Sequence, residues 1–167
     1  MKYNNIKHKC DKCKKNINGT EIFIVDGKTI CEYCMYGNVK PFKIFPIGFV
    51  KNKLELDGSD FGVRGENNLS CIELLDSQKP FMFKIEEEEY ITVVYYLHKS
   101  KEVRSVFNRG LDGKKVGVFA SRTPHRLSRV AIQNVKLVKV EGSKLYVDGL
   151  DAIDGSPVLD IKMKWSA

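Results

Sequence analysis

The segment Tyr90-Ile-Thr-Val-Val-Tyr-Tyr-Leu97 is a near-continuous run of β-branched and aromatic residues. Such a run is typical of a strand that is buried on both faces. Further strands are predicted on either side of it, at Ile44–Lys51, Leu69–Leu75, Val116–Ser121, Val130–Val140, Lys144–Asp148 and Val158–Lys162. A single short helix is predicted, over residues 101–108. So many strands with so little helix predict an all-β fold, a barrel or a sandwich.

Two cysteine pairs precede these strands, Cys10-Asp-Lys-Cys13 and Cys31-Glu-Tyr-Cys34, and 17 residues separate them. This spacing predicts a zinc site whose ligands are Cys10, Cys13, Cys31 and Cys34. Between the pairs we expect a hairpin with a strand at Ile22–Val25, a turn at Asp26-Gly27 and a return strand at Lys28–Ile30. The alternatives are disulfides and a rubredoxin-like iron site.

We therefore predict two domains, a treble-clef or zinc-ribbon-like zinc module over residues 1–40 and a β domain over residues 44–167. About 40 residues bury too little surface to fold alone, so metal binding would supply the missing stability. The module could serve as a structural clip, a dimer contact or an RNA contact. Cys71 has no partner cysteine and is expected to be a buried small apolar residue.

The net charge of +7 is unevenly distributed. Residues 1–45 carry a formal +5, and residues 113–140 contain seven Lys and Arg but no Asp or Glu. Three of the six arginines, Arg122, Arg126 and Arg129, lie in this second stretch. Arginine grips a phosphate or a carboxylate in a fixed orientation, so the stretch favours a nucleic-acid partner. A solvated face and a small-anion site are the alternatives.

Several classes of protein are not supported. The chain contains neither the glycine-rich motif of a Rossmann fold nor a P-loop, and no Ser/His/Asp or Cys/His arrangement stands out. The apolar run at residues 44–50 is too short for a membrane helix. The N-terminal sequence MKYNNIKHKC has no hydrophobic signal core, so we expect a cytoplasmic protein without a membrane segment.

Four aspartates follow the last predicted hairpin within 13 residues: Asp148, Asp151, Asp154 and Asp160. Asp and Gly initiate turns, so turn formation is the simplest interpretation. Metal binding is a weaker alternative, because no His or Glu cluster accompanies them.

The motif D-x-x-D-G-[TS]-P-V-L-D-I-K stands without a gap at Asp151–Lys162. Together with Phe45–Val50, Leu97-His98-Lys99 and Gly117–Arg122, this segment resembles the TsaA-like family, the TrmO-type tRNA methyltransferases. The resemblance covers about residues 44–162 and leaves the zinc module outside.

This resemblance implies an all-β, barrel-like domain that is usually a homodimer and takes S-adenosylmethionine as methyl donor. It implies a tRNA substrate in which the adenosine beside the anticodon already carries a threonylcarbamoyl group, and the methyl goes to N6. Position by position, the implied donor-binding residues are His98, Lys99, Arg122, Ile132, Asp151, Ala152, Ile153 and Asp154, with Arg64 as a looser match.

The chemistry of these side chains agrees with that assignment. Arg122 could hold the donor carboxylate, and Asp151 or Asp154 a ribose hydroxyl or an amino group. The proton of the acceptor nitrogen could pass to His125 or to an aspartate, although both His98 and His125 could instead be structural. The basic side chains expected to contact RNA are Arg126, Arg129 and Lys136.

One segment departs from the family pattern, in which R-P-N-P-I-G-L-S follows the second arginine. Here the sequence is Arg126-Leu-Ser-Arg-Val-Ala-Ile-Gln133. A changed substrate is therefore open, either another RNA nucleotide or a small molecule. A non-catalytic, zinc-containing RNA-binding protein is the other alternative.

Overall fold

A computed structural model describes residues 8–17, 21–56, 63–64, 69–100 and 102–164, with the backbone alone at 55–56 and 63–64. Its elements are almost entirely strands, as the sequence predicts. None of the helices in these ranges is long and apolar enough to cross a membrane.

The first strands are β1 (His8–Lys9), β2 (Asn16–Ile17), β3 (Ile22–Val25), β4 (Lys28–Cys31), β5 (Gly48–Lys51), β6 (Glu55–Leu56) and β7 (Val63–Arg64). The later strands are β8 (Leu69–Leu74), β9 (Tyr90–Tyr96), β10 (Val106–Asn108), β11 (Lys115–Gly117), β12 (Val130–Glu141), β13 (Lys144–Asp148) and β14 (Pro157–Met163). The helices are α1 (Glu32–Tyr36) and three short 3-10 helices at Asp76–Met82, Ile85–Glu87 and Val118–Ala120.

The chain packs into two compact units. The first unit contains the described residues of Met1–Lys43 and Lys101–Leu127, and the second unit those of Ile44–Ser100 and Ser128–Ala167. The predicted domains, 1–40 and 44–167, follow the cysteine spacing and the strand pattern, whereas the two units follow packing. The two divisions differ in the segment 102–127.

The second unit is a closed, antiparallel barrel with the strand order β12-β13-β8-β5-β14-β9. Closure removes the free edges that an open sheet would expose. Strand β9 is paired on both sides, since Val93 lies opposite Gln133 in β12 and opposite Ile161 in β14. The barrel confirms the predicted fold class.

The barrel core follows from the alternation of side chains along each strand. In β8 the buried residues are Ser70, Ile72 and Leu74, and in β13 they are Leu145 and Val147. Apolar side chains of this kind contribute about 1.5–3 kcal/mol each when they are fully buried. The period of two therefore sets which face of each strand fills the barrel.

Strand β9 breaks this alternation, because Ile91, Thr92 and Val93 are buried in succession. Both faces of the strand are therefore covered, as its continuous apolar sequence predicts. The predicted hairpin across residues 141–143 is also confirmed: β12 and β13 are antiparallel, and Gly142 has the positive φ of 60° that such a turn needs.

One predicted element is wrong. Residues 106–108 form strand β10, which pairs with β11, and are not part of a helix. Pairing with β11, the other strand of a short hairpin, has overridden the local preference of this stretch. The strand predicted at Val116–Ser121 ends at Gly117, and a 3-10 helix follows from Val118. Most of the long loop predicted at Glu55–Asn68 lies outside the described residues.

Gly48 sits where β5 passes closest to β8. A Cβ atom on this residue would lie 2.4 Å from the carbonyl oxygen of Glu73 and 2.8 Å from the Cα of Leu74. Both atoms belong to the backbone of a paired strand and cannot rotate away. Glycine is therefore required here by the close approach of two strands.

We expect Gly48→Ala to lower the free energy of unfolding by about 1–3 kcal/mol, the usual effect of overpacking a core. Urea denaturation of the whole chain measures this. The matched control is Gly110→Ala, since a Cβ at Gly110 meets nothing within 4 Å, and its effect should stay within about 0.5 kcal/mol. Equal effects of the two substitutions would contradict the assignment.

Candidate functional site

The loop of residues 149–156, here called the aspartate loop, connects β13 to β14 and is held by the side chain of Asn52. The Asn52 Nδ2 donates to the Oγ of Ser70 at 2.8 Å and to the carbonyl oxygen of Ala152 at 2.7 Å. The Asn52 backbone N–H donates to the carboxylate of Asp154 at 3.2 Å. One residue just after β5 thus joins the barrel wall to the loop.

Backbone hydrogen bonds to β5 hold the same loop. The Gly155 N–H donates to the carbonyl oxygen of Val50 at 2.8 Å, and the Val50 N–H donates to that of Ser156 at 2.9 Å. Within the loop Ala152 and Ile153 are buried, whereas Asp151 and Asp154 are exposed. The loop therefore presents two carboxylates from a fixed backbone.

Gln133 of β12 supports the start of the loop. Its Nε2 donates to the carbonyl oxygen of Gly149 at 2.7 Å, and its Oε1 accepts the N–H of Asp151 at 3.0 Å. Both ends of the side-chain amide are used, which fixes its orientation. The adjacent Ile132 is an exposed apolar residue on the same strand.

His98 follows the end of β9 and lies against the other end of the aspartate loop. Its Nδ1 is 3.4 Å from the Oγ of Ser156. Burial lowers the pKa of His98, the neighbouring Lys99 cation lowers it further, and the Asp154 carboxylate opposes the shift. At neutral pH the ring is therefore uncharged and can accept a hydrogen bond on one nitrogen.

Tyr95 is a further ionisable group beside the loop. Burial raises the pKa of Tyr95 to about 12, and the charge of Asp151 contributes to the shift. The phenol therefore stays protonated at physiological pH. No pattern in the sequence marks Tyr95 as more than a strand residue.

The arginine segment, residues 117–126, lies in the first unit. Arg122 is exposed. Arg126 folds back on its own turn, where its Nε donates to the carbonyl oxygen of Thr123 at 3.1 Å and its Nη2 to that of Ser121 at 2.5 Å. Its guanidinium therefore orders the turn, and two of its nitrogens already have acceptors. His125 is buried, edge-on to the ring of Phe107.

The other predicted contact residues are more dispersed. Arg129 has a φ of 52°, a conformation that proline cannot adopt, so the backbone here departs from the family's Pro-containing pattern. Lys136 is exposed on β12. Arg64 lies in β7, and its side chain is outside the described part of the structure. The roles of all three stay predictions.

Within the second unit, then, the structure brings together His98 and the residues 151–154 that the resemblance selects. The sequence patterns do not predict Asn52 and Gln133, which hold the aspartate loop. Nothing in the local sequence distinguishes either amide from an ordinary polar residue. Each one forms hydrogen bonds to a loop that is distant in sequence and near only in the folded barrel.

The four cysteines form a second cluster, in the first unit. Their Sγ atoms all lie within 4.8 Å of one another, and those of Cys13 and Cys31 are 3.9 Å apart. A tetrahedral site with metal–sulfur bonds of about 2.3 Å requires sulfurs about 3.8 Å apart. All four are free cysteines. The cluster therefore fits a single tetrahedral metal ion and not the disulfide alternative.

Local backbone structure brings the two pairs together. Lys14 adopts a left-handed φ of 64°, and its N–H donates to the carbonyl oxygen of Cys10 at 2.9 Å, which forms a tight knuckle. The Cys31 N–H points at the Sγ of Cys10. The N–H groups of Cys13 and Cys31 lower the pKa of Cys10 to about 6, so its sulfur is ready to act as a thiolate ligand.

Comparison with known proteins decides the family. The sequence profile of the tRNA-methyltransferase O N-terminal domain matches residues 62–166, which is more than half of the chain. The chain belongs to this family. The aspartate loop and His98 lie inside the match to the tRNA-methyltransferase O domain, and the four cysteines lie outside it.

Individual relatives agree with the match. A mouse protein, tRNA (adenine(37)-N6)-methyltransferase, is 41% identical over 81 residues, 47% of this chain and 19% of the mouse protein. An S-adenosyl-L-methionine-binding protein of Archaeoglobus fulgidus is 37% identical over 120 residues, 70% of this chain and 85% of that protein. The chain thus spans only about a fifth of the length of its mammalian relatives.

Solved structures show the same fold. TrmO from Pseudomonas aeruginosa superposes with a TM-score of 0.54 and 22% sequence identity, covering 75% of this chain and 57% of that one. At this identity the similarity supports the barrel architecture and leaves the chemistry of the site to be argued from the residues of this chain.

We expect Asn52→Ala to lower the free energy of unfolding by about 1–3 kcal/mol, because it removes two side-chain donors and leaves the buried Ser70 hydroxyl without that partner. Chemical denaturation measures the change. Asn134→Ala is the control, since the exposed Asn134 accepts one hydrogen bond, from Thr92, and should change stability by under about 1 kcal/mol. An effect of Asn52→Ala no larger than this control's would refute the supporting role.

We expect His98 to titrate below its usual value of about 6.5 in a pH series of NMR spectra. Lys99→Gln should raise the pKa of His98 by removing a cation, and Asp154→Asn should lower it by removing an anion. Since the unfolded chain binds the proton more readily, the contribution of His98 to stability should decline as the pH falls below about 6.5. Shifts of the same sign in both variants would contradict the proposed electrostatics.

Proposed function

We propose that this protein is an S-adenosylmethionine-dependent methyltransferase that modifies tRNA at N6 of the threonylcarbamoyl-adenosine beside the anticodon. The observation that carries the proposal is the aspartate loop, a specific family motif whose two exposed carboxylates are held by Asn52, Gln133 and β5. The mouse relative, a tRNA (adenine(37)-N6)-methyltransferase, supports N6 of this adenine as the target, and the Archaeoglobus relative, an S-adenosyl-L-methionine-binding protein, supports the donor.

The residues of this chain match the chemical groups of the donor. Asp151 or Asp154 would accept hydrogen bonds from a ribose hydroxyl or from the amino group. Ile132, apolar and 55% exposed, offers a surface for the adenine ring. Arg122, whose side chain is exposed, would bind the donor carboxylate bidentately. Lys99 and Arg64 are the remaining proposed contacts.

The reaction requires positioning and the removal of one proton. The donor would supply a methyl group, so that an N–C bond forms at N6, the S–C bond breaks and S-adenosylhomocysteine leaves. Rigid placement of reactants can lower a barrier by roughly 7–11 kcal/mol. Of the predicted proton acceptors, the aspartates of the loop are exposed whereas His125 is buried. We therefore assign the proton to a carboxylate of the loop.

Zinc is the proposed occupant of the cysteine cluster. Four thiolates complete a tetrahedral shell and leave no open position, which is typical of a structural site. Lys12 donates to the carbonyl oxygen of Cys34 at 3.3 Å, so a cation lies beside the negatively charged cluster. The proposed zinc would stabilise the fold and take no part in methyl transfer.

The proposed partners are tRNA and a second copy of the chain, in the cytoplasm. Exposed Lys136 and the flanking arginines Arg126 and Arg129 are the proposed RNA contacts. Since the guanidinium of Arg126 is largely used within its own turn, we expect Arg129 and Lys136 to contribute more to RNA affinity.

Mass spectrometry of tRNA nucleosides tests the function. Deleting the gene should remove N6-methylated threonylcarbamoyl-adenosine. The wild-type gene should restore this nucleoside, and the double variant Asp151→Asn, Asp154→Asn should not. If deletion leaves the tRNA nucleosides unchanged and calorimetry detects no S-adenosylmethionine binding, the proposed function is wrong. The non-catalytic RNA-binding alternative would then remain. Unchanged nucleosides with donor binding would favour a small-molecule acceptor.

We expect one zinc ion per wild-type chain by elemental mass spectrometry, and a loss of most of this metal in Cys31→Ser. Cys71→Ser is the matched control, because Cys71 lies in β8 of the second unit, apart from the four clustered sulfurs. It should retain full occupancy. Equal zinc content in the two variants would refute the assignment of the cluster.

A further inference from the structure

The hairpin of β3 and β4 packs against the segment 102–127 within the first unit. Val25 forms a parallel bridge with Val103, and the Asp26 N–H donates to the carbonyl oxygen of Val103 at 3.0 Å. Val103 is buried. The cysteine-containing hairpin, which lies outside the family match, is therefore joined to a segment that lies inside it.

The carboxylate of Asp26 makes the most specific contact in this junction. One oxygen accepts the backbone N–H of Ser105 at 2.9 Å, and the other accepts the Ser105 hydroxyl at 2.5 Å. These two hydrogen bonds lower the pKa of Asp26. Asp26 also has a φ of 49° at the hairpin tip, a conformation that Asp and Asn adopt more readily than most residues.

Ser105 also contacts the arginine segment. Its carbonyl oxygen accepts the N–H of Val118 at 3.0 Å, at the start of the 3-10 helix that leads to Arg122. Nearby, the Arg104 N–H donates to the carbonyl oxygen of His125 at 3.1 Å. Both ends of the turn that carries Arg122 are thus attached to residues 104–105.

The other end of the hairpin is attached to the cysteine cluster. The Thr29 N–H donates to the carboxylate of Asp11 at 2.7 Å, and the Asp11 N–H donates to the Thr29 carbonyl oxygen at 2.8 Å. Cys31 is itself the last residue of β4. A continuous set of hydrogen bonds therefore runs from the cysteines through Asp26 and Ser105 to the arginine segment.

We propose that Asp26 is a positioning residue. Through Asp26, the β3–β4 hairpin and its cysteine cluster hold the arginine segment in the conformation that binds the methyl donor. This inference rests on the proposed donor-binding role of Arg122. Val118 and His125 of this segment are buried, whereas Arg122 is exposed. The position of Arg122 therefore depends on the backbone contacts that its turn makes with residues 104–105. Asp26 then influences donor affinity without touching the donor.

The test compares Asp26→Ala with Asp26→Asn and with Asp76→Ala in the full-length, zinc-loaded protein. Asparagine keeps one acceptor oxygen and the left-handed preference. Asp76→Ala is the control, because it also removes one carboxylate but lies in the second unit, where Asp76 pairs with Lys79 of its own 3-10 helix. Hydrogen exchange and calorimetry with S-adenosylmethionine are the two readouts, and zinc content is measured alongside.

In Asp26→Ala we expect amide exchange across residues 117–126 to accelerate about tenfold or more, and the Kd for S-adenosylmethionine to rise by a similar factor. Asp26→Asn should be intermediate, and Asp76→Ala should match the wild type. Zinc content should be unchanged. If Asp26→Ala loses zinc because the β3–β4 hairpin unfolds, the same measurements are made on Ser105→Ala. This variant removes only the hydroxyl that donates to Asp26.

Donor affinity unchanged in Asp26→Ala, with or without faster exchange, would overturn the positioning role. Donor affinity unchanged in Ser105→Ala would overturn it in the same way where Asp26→Ala fails to fold. If the wild type itself binds no S-adenosylmethionine, the proposed function fails, and the positioning role fails with it. The wild-type titration thus separates the two failures.

Discussion

Strand β9 closes the barrel through hydrogen bonds to β12 on one side and to β14 on the other. Without both pairings, β12 and β14 would be free edges and the barrel would be an open sheet. Side chains on both faces of β9 are buried, whereas a strand with one face in solvent buries the side chains of a single face. The additional apolar burial stabilises the barrel. His98 emerges directly from the end of this strand.

The aspartate loop shows how a closed barrel can present polar groups rigidly. Its buried residues, Ala152 and Ile153, anchor it, while Asn52 and Gln133 satisfy its backbone. Side-chain amides suit this task because each offers a donor and an acceptor. One oxygen of Asp154 accepts the Asn52 N–H, and the exposed carboxylates of Asp151 and Asp154 are the groups proposed to bind the donor. Their fixed backbone is the preorganisation that positioning catalysis requires.

Much of this organisation could be predicted from local sequence. The alternation in β8 and β13 and the two cysteine pairs are short-range signals, and the structure confirms the barrel and the clustered sulfurs. The remainder depends on hydrogen-bonded partners that the local sequence does not reveal. Residues 106–108 are a strand and not a helix because they pair with β11 in a hairpin. The role of Asn52 is hidden because Ala152 lies 100 residues away. Arg126 has the residue type of a phosphate contact, yet its guanidinium binds backbone carbonyls.

Hydrogen exchange of the wild-type protein with and without S-adenosylhomocysteine tests whether the aspartate loop and the end of β9 bind the methyl donor. This product keeps all of the donor except its methyl group. Saturating ligand should slow exchange in residues 149–156 and 97–99, and around Arg122. Unaltered exchange in residues 149–156 and 97–99 would contradict donor binding at this site.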